Sequence, residues 1–208
     1  MVYTENVRSL LAFVIKEYGI TDWIDAPCGD CNWQSSVVGF EALSYLGLDI
    51  VPGLIEGNRE KFQEHKNMRF EQQDFINEPF PHTPDLILCR DMIQHNTLVD
   101  GVRAYYNMER SGAKYLATTW HHKGQMNEMR HNVNIPSGSM YEVNIFLHPF
   151  NFSKPEFFIR EGPQGMDPQG KLVGVWKLPA LGLGDGKFFD IQAQMANASS
   201  TIVSVANM

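Results

Sequence analysis

The stretch Trp23-Ile-Asp-Ala-Pro-Cys-Gly-Asp-Cys-Asn-Trp33 decides the fold prediction. It continues a short apolar strand over residues 21–26 and then forms a turn over residues 27–32 that contains Gly29. Because glycine has no side chain, a ligand can approach the backbone of this turn closely. We expect a helix to begin at residues 33–38 and to present free backbone N–H groups there. Strand, tight turn and helix in this order predict a ligand site at the carboxyl edge of a parallel sheet.

Alternating strand and helix patterns surround this stretch. A helix with apolar residues at helical spacing precedes it and ends at Gly19. After it, the pattern predicts strands at 43–48, 68–73, 85–89, 114–119, 156–160 and 171–178, and helices at 52–63 and 97–110.

The alternation predicts the α/β class, with strands mostly parallel and joined by right-handed crossovers. We expect a three-layer Rossmann-like fold: a mostly parallel seven-stranded sheet with helices on both faces. Residues 1–208 fit one domain. Residues 121–155 are rich in His, Asn, Pro and Gly, which indicates a lid or an acceptor-binding insertion.

Charge and composition narrow the classes of partner. The net charge is −7, and no run of Lys and Arg exceeds two neighbours, so we expect no nucleic-acid partner. No stretch approaches the ~20 apolar residues that span a bilayer, so we expect no membrane partner. We expect a cytoplasmic protein, unless a targeting segment preceded Met1. A homodimer is left open.

The acids of the turn indicate which cofactor it binds. A pyrophosphate site needs several glycines and no nearby negative charge, whereas Gly29 stands alone between Asp25 and Asp30. Carboxylates suit a ligand that has no phosphate but carries an amine and a sulfonium. S-adenosylmethionine is such a ligand. Asp49, at the end of the second strand, is placed to accept both ribose hydroxyls.

A further marker follows the third strand. Asp74 is placed to accept a hydrogen bond from the adenine amine, and Phe75 to pack on the adenine ring. As alternatives, Asp74 is an N-cap and Asp49 an exposed strand end. The order of these acids, each at the end of a strand, favours the ligand site.

These motifs resemble those of the class I S-adenosylmethionine-dependent methyltransferases, over roughly residues 5–120. Asp25-Ala-Pro-Cys-Gly-Asp30 resembles the first motif of that family, although Asp30 departs from its commoner glycine ending. Asp85-Leu-Ile-Leu-Cys-Arg-Asp-Met-Ile-Gln-His95 resembles the fourth strand and the turn after it. The cofactor site that the resemblance implies consists of Asp25, Ala26, Pro27, Cys28, Gly29, Asp30, Trp33, Asp49, Ile50, Asp74, Phe75, Cys89 and Arg90.

The acceptor side is predicted from the residues after strands four and five. A hydroxyl or amine acceptor must lose a proton as it attacks the methyl group. His95 is the candidate base, with Asp91 beside it, because imidazole exchanges protons near neutral pH. His121 or His122 is the alternative base. These two with Asp91 and His131 resemble metal ligands only weakly, so we expect no metal site.

Two further patterns have an ordinary structural reading. Trp120, Tyr141, Phe146 and Phe150 either line an acceptor pocket or belong to the core. Cys28 and Cys31 form a Cys-x-x-Cys that we interpret as part of a tight turn, because no second pair completes a zinc site.

The sequence therefore predicts a methyltransferase whose acceptor is a small molecule or glycan. The Pro-Cys-Gly-Asp-x-Asn-Trp turn and Pro149-Phe-Asn-Phe152 resemble a subgroup associated with bacterial polysaccharide loci and with animal sugar O-methylation. That resemblance favours O-methylation of a sugar hydroxyl. The alternatives are N-methylation of a small molecule or peptide, a catalytically inactive cofactor-binding protein, and a Rossmann-like oxidoreductase.

Overall fold

The structure, a computed structural model, describes residues 3–121, 132–162, 170–181 and 203–204. Its α-helices are α1 (Glu5–Tyr18), α2 (Pro52–Lys61) and α3 (Leu98–Arg110). Its strands are β1 (Asp22–Asp25), β2 (Ser44–Asp49), β3 (Met68–Gln72), β4 (Leu86–Cys89), β5 (Tyr115–His121), β6 (Phe157–Arg160), β7 (Lys171–Lys177) and β8 (Val203–Ser204). None of the helices in the described part combines the length and apolar character of a membrane span.

The strands form one mixed sheet in the order β3-β2-β1-β4-β5-β7-β6-β8. The first five of these pair in parallel, whereas β7 runs antiparallel to both β5 and β6. The predicted mostly parallel seven-stranded sheet is thus confirmed, and the two-residue β8 extends it at the β6 edge. Since β7 is reversed, its first residue, Lys171, lies at the edge where β4 and β5 end.

Helices cover both faces of the sheet, which confirms the three layers. Apolar residues of α1, with Ile55 of α2, pack on the face that carries Trp23, Tyr45 and Leu88. Tyr105 and other apolar residues of α3 pack on the opposite face. Strand order changes direction at β1, with β2 on one side and β4 on the other. Ligands bind in such folds where the strand order reverses, at the carboxyl ends of the strands.

The helix predicted at residues 33–38 is absent, and this expectation is wrong. The chain forms only 3-10 turns at Gln34–Ser36 and Phe40–Ala42 between β1 and β2. Gly39 lies between them with a φ of 91°, a left-handed conformation that interrupts a helix. Two serines and two β-branched valines in the same short stretch also favour helix weakly. The turn around Gly29 is therefore held by backbone and side-chain hydrogen bonds rather than by a helix N-terminus.

The described part of the predicted insertion, residues 132–155, is a packed layer. Val143, Ile145 and Phe150 are fully buried and join the core on the α3 face. The backbone N–H of His121 donates to the carbonyl of Val143 at 2.8 Å, which ties this layer to the end of β5. Residues 122–131 of the insertion lie outside the described part.

Candidate functional site

The turn after β1 is fixed between the strands on either side of it. The backbone N–H of Ala26 donates to Leu88 O at 2.8 Å, and that of Cys28 donates to Leu48 O at 2.8 Å. Gly29 has a φ of 56°, in the left-handed region that glycine tolerates without strain. Asn58 of α2 donates through Nδ2 to Gly29 O at 2.7 Å. The turn is thus bound to both neighbouring strands and to the helix behind it.

Asp25 lies beneath this turn, not at its surface. Its side chain accepts hydrogen bonds at Oδ2 from Gln34 Nε2 at 2.7 Å and from Tyr45 Oη at 2.9 Å. Asp25 is 1% exposed. Burial raises its pKa to about 7, although the hydrogen bonds from Gln34 and Tyr45 lower it. The structure therefore gives this predicted cofactor residue the geometry of an internal support.

A glycine in β2 makes room for the turn. A Cβ atom on Gly47 would lie 2.7 Å from the ring of Phe70 and 2.9 Å from Cys28 Sγ. Both distances are shorter than atoms in proteins tolerate, so any side chain at residue 47 would push the turn away from the sheet.

Asp49 joins the turn to the end of β2. Its Oδ2 accepts from the backbone N–H of Gly29 at 3.1 Å, and its Oδ1 accepts from that of Val51 at 3.0 Å. Asp49 is 5% exposed, and these two bonds use two of the about four acceptor sites of its carboxylate. The neighbouring side chain of Ile50 is 56% exposed at the same edge. An acid beside an exposed apolar side chain matches a ligand with a polar and a flat apolar part.

The cysteines of the turn are buried thiols. Cys28 and Cys31 are 4% and 1% exposed, and burial raises the pKa of Cys31 to about 12 and that of Cys28 further. The thiolate is the reactive form of cysteine, so these groups are poor nucleophiles. Cys31 Sγ lies 3.2 Å from Tyr45 Oη, within the network below the turn. Cys28 and Cys31 therefore form part of a tight turn, as the sequence indicated.

The rim of the turn carries the remaining predicted residues of the first motif. Pro27 is half-buried, and Asp30 is exposed and accepts a hydrogen bond from Asn32 Nδ2. Lys61 Nζ donates to Asp30 O at 3.0 Å from the outer side. Trp33, which ends the stretch, is 8% exposed.

The side chains of Asp74 and Phe75 both interact with residues close to them in the sequence. Asp74 Oδ1 accepts from the backbone N–H of Ile76 at 3.2 Å, and Asn77 Nδ2 donates to its Oδ2 at 2.8 Å. These bonds stabilise the turn at residues 75–77, where no helix begins, so Asp74 is a turn residue rather than the N-cap that the sequence analysis gave as the alternative. Phe75 is 5% exposed and packs against Phe80, with ring centroids 6.0 Å apart. In this conformation its ring belongs to the core and does not face the edge of the sheet.

The end of β4 carries a compact group of charges. Cys89 is buried, and Arg90 donates through Nε to Glu161 Oε1 at 2.7 Å. Asp91 has a φ of 57°, a conformation that is strained for a residue other than glycine. Burial would raise the pKa of Asp91, but Arg90 and Lys171 lower it below its ordinary value. An acid of this kind is a weak base, so it does not suit proton removal.

His95 ends a 3-10 turn after β4 and is exposed. Its Nδ1 lies 2.9 Å from Ser139 O, a carbonyl oxygen that can only accept. Nδ1 of the neutral ring therefore carries the proton, which leaves Nε2 with the basic lone pair. His121 is only 2% exposed at the end of β5, and His122 lies outside the described residues. Of the candidate bases in the described residues, His95 and His121, only His95 is accessible.

The aromatic residues proposed for an acceptor pocket belong mainly to the core. Trp120, Tyr141 and Phe150 are 1%, 6% and 0% exposed. Trp120 packs edge-on against Phe146 and Trp176, with centroids 5.6 Å and 5.5 Å away. Across residues 3–121, 132–162 and 170–181, no three His, Cys, Asp or Glu side chains converge on a common point. His131, like His122, lies outside the described residues.

The structure adds four residues that sequence reasoning missed. Gln34 and Tyr45 support Asp25 from below, while Glu161 and Lys171 pair with Arg90 and Asp91. Glu161 directly follows a predicted strand, which was the available signal. Lys171 opens a strand, and only the reversed direction of that strand brings it to this edge.

Comparison with solved structures identifies the fold. No family model matches the chain, and no curated protein matches it. It superposes on the methyltransferase domain of bacterial CtHen1-CN with a TM-score of 0.63 at 12% identity, covering 85% of this chain and 100% of that one. Against magnesium protoporphyrin IX methyltransferase from Synechocystis PCC 6803 with bound SAH, the TM-score is 0.50 at 15% identity. That match covers 61% of this chain and 59% of that enzyme, less than two thirds of its length. The chain has the fold of the S-adenosylmethionine-dependent methyltransferases.

Proposed function

We propose that the chain is a methyltransferase that binds S-adenosylmethionine at the carboxyl edge of β1, β2 and β4. The observation that carries the proposal is the position of Asp49, which bridges the Gly29 turn and the end of β2 beside the exposed Ile50. In this arrangement Asp49 accepts the ribose hydroxyls with its two remaining acceptor sites, and Ile50 covers one face of the adenine.

The charges around the turn support this cofactor against a dinucleotide. Asp49 and the exposed Asp30 lie within or against the turn, with Asp25 beneath it. Phosphate groups would be repelled by these acids and would find no helix N-terminus to bind, since the chain forms only a 3-10 turn there. The sulfonium and the amine of S-adenosylmethionine are cationic, so the same acids attract them.

His95 is the base in this proposal. Methyl transfer is an in-line displacement, so the protein aligns the acceptor with the sulfonium methyl and excludes water. The bond from Nδ1 to Ser139 O fixes the ring and leaves Nε2 to take the acceptor proton. Gly138 N donates to His95 O at 2.8 Å, which places the 138–141 segment beside the base. This segment forms the acceptor wall.

The acceptor that we propose is a hydroxyl of a sugar or another small molecule. The sequence resemblance to sugar O-methylating proteins supports a glycan, and the polar, charged edge around Asp91 suits an uncharged polyol. The three cysteines of the chain are free thiols, which fits a reducing compartment, so we place the activity in the cytoplasm. A radiolabelled methyl-transfer screen over glycan, peptide and small-molecule acceptors tests this assignment, and methylation of peptides alone would contradict it.

The cofactor assignment predicts a selective rise in thermal stability. A ligand that binds only the native state raises the melting temperature, and a concentration of 100 times Kd contributes about 2.7 kcal/mol. We expect this rise with S-adenosylmethionine or SAH and none with NADH, measured by differential scanning fluorimetry at matched concentrations. Stabilisation by NADH without stabilisation by SAH would overturn the proposed function.

Replacement of Asp49 tests the ribose contact. We expect Asp49→Ala to weaken SAH binding by about 1.5–3 kcal/mol, the range for a hydrogen bond to a charged group. The variant also loses the bonds to Gly29 N and Val51 N, so its melting temperature falls. Calorimetric titration must therefore run below that temperature. Glu71→Ala, at an exposed acid of β3, is the matched control. Equal SAH affinity in folded Asp49→Ala and wild type would remove Asp49 from the site.

A further inference from the structure

Four charged side chains form a cluster at the acceptor side of the edge, defined here as Arg90, Asp91, Glu161 and Lys171. Arg90 Nη2 lies 3.1 Å from Asp91 Oδ2 and also pairs with Glu161 Oε1. Lys171 Nζ lies 2.7 Å from Asp91 Oδ1 and 3.2 Å from Glu161 Oε2. Two cations thus balance two anions, and the side chain of Glu161 is fully buried.

Both carboxylate oxygens of Asp91 are engaged by neighbouring side chains. Its Oδ1 receives Lys171 Nζ at 2.7 Å and Gln94 Nε2 at 2.8 Å. Its Oδ2 receives Lys171 Nζ at 3.0 Å and Arg90 Nη2 at 3.1 Å. Three hydrogen bonds and the ion pair with Arg90 thus engage both oxygens of the carboxylate. Asp91 therefore orients the two cations, and the contact with a ligand falls to one of them.

Arg90 is the cation of this cluster that faces the cofactor turn. Its guanidinium carbon lies 5.8 Å from the centroid of the Trp33 ring, and Trp33 directly follows the turn. Within the described residues, the contacts of Arg90 use Nε and Nη2, so the two N–H groups of Nη1 are the ones available to a ligand. Its side chain is 19% exposed. Lys171, by contrast, points its ammonium into both carboxylates and over the Tyr3 ring.

We propose that Arg90 binds the carboxylate at the amino-acid end of S-adenosylmethionine, an inference that rests on the proposed function. The acids around the turn repel that carboxylate while they attract the amine and the sulfonium beside it. The carboxylate must therefore lie toward a cation that borders the turn. A guanidinium binds a carboxylate with directed N–H groups, and Glu161 and Asp91 hold that of Arg90 in one orientation.

Lys61 is the competing cation, because it also contacts the turn. Its Nζ donates to Asp30 O at 3.0 Å and to Asn32 Oδ1 at 2.7 Å. Both contacts are made to exposed residues, and Lys61 itself is the last residue of α2. Lys61→Met is therefore the matched control for the loss of a positive charge next to the turn.

The test compares SAH with a ligand that lacks its whole amino-acid end, both the carboxylate and the amine. SAH carries the amino-acid end, whereas 5′-methylthioadenosine lacks it and keeps the adenosine. By calorimetric titration we expect Arg90→Met to weaken SAH about 10- to 100-fold and 5′-methylthioadenosine less than about twofold. Arg90→Lys keeps the positive charge but not the directed N–H groups of a guanidinium, so we expect an intermediate loss of SAH affinity. Lys61→Met leaves both affinities near wild type.

A second variant separates ligand binding from support of the fold. Arg90→Met leaves Glu161 buried with one cation fewer, which lowers stability. Arg90→Met/Glu161→Gln removes that uncompensated charge, so the melting temperature recovers while the selective loss of SAH affinity persists. If SAH affinity recovers together with stability, or if both ligands weaken equally, Arg90 is not the carboxylate site. A selective SAH loss in Lys61→Met alone transfers the role to Lys61. Wild-type protein that binds neither ligand overturns the proposed function itself.

Discussion

Asp25→Asn is expected to raise the melting temperature above pH 7 and to leave it almost unchanged near pH 4. Burial raises the pKa of Asp25 from 3.8 to about 7. An acid with a raised pKa in the folded state favours folding only while it is protonated. Stability is therefore lost as the pH rises from about 4 to about 7 and stays level above that range. The full loss in the free energy of unfolding is ~4 kcal/mol. The neutral side chain of Asp25→Asn avoids this loss.

Asparagine preserves the contacts that Asp25 makes. Gln34 and Tyr45 both donate to the same oxygen, Oδ2, so an amide oxygen can accept both bonds. Asp25→Ala is the contrasting variant: it leaves both buried donors without their acceptor and lowers stability at every pH. Thermal melts from pH 4 to pH 9 measure the effect, which should reach on the order of 10 °C for Asp25→Asn above pH 7. Parallel curves for wild type and Asp25→Asn would show that Asp25 is not protonated in the folded protein.

The sequence was sufficient to predict those site residues that lie at the ends of strands. The sequence places Asp25 and Asp49 at the ends of two strands, and parallel neighbours must bring such ends to one edge. The structure accordingly joins the Gly29 turn to Asp49 by a hydrogen bond. The same reasoning placed Arg90 and Asp91 after the fourth strand. Periodicity and strand order were sufficient for these residues because their positions depend only on topology.

The partners of these residues depend on how the strands pair in the folded sheet, so they were not predictable from the sequence. Tyr45 reaches Asp25 because it is paired with Trp23, and Trp23 and Asp25, two residues apart on β1, lie on the same face of the sheet. Lys171 reaches Asp91 because β7 enters the sheet antiparallel, and an isolated strand pattern does not reveal direction. Phe75 was assigned to the cofactor by its place after a strand, whereas its packing on Phe80 follows from burial. Patterns locate a residue along the chain but do not say which way its side chain turns.

His95→Ala is expected to lower turnover by about 10²- to 10⁴-fold, the usual contribution of a general base. The rate is measured on the acceptor that the methyl-transfer screen identifies, with saturating S-adenosylmethionine. SAH affinity should stay within about twofold of wild type, since a general base acts on the acceptor and not on the cofactor. The substitution removes an exposed side chain with one described bond, to Ser139 O, so stability should change by less than about 1 kcal/mol.

The pH dependence of turnover distinguishes a base from a group that only positions the acceptor. If His95 removes the proton through Nε2, His95→Ala changes the shape of the pH–rate profile as well as the rate. A positioning role predicts a lower rate with the same profile. His121→Ala is the comparison: its ring is 2% exposed, so it should act through stability and not through the profile. If His121→Ala or His122→Ala alone abolishes turnover, the base follows β5.

Wild-type rates in all three variants would leave no histidine as the base, and Asp91, paired with Lys171 and Arg90, is too weak a base to replace it. The acceptor would then have to attack without prior loss of a proton, as a neutral amine does, and N-methylation would replace O-methylation as the proposed reaction.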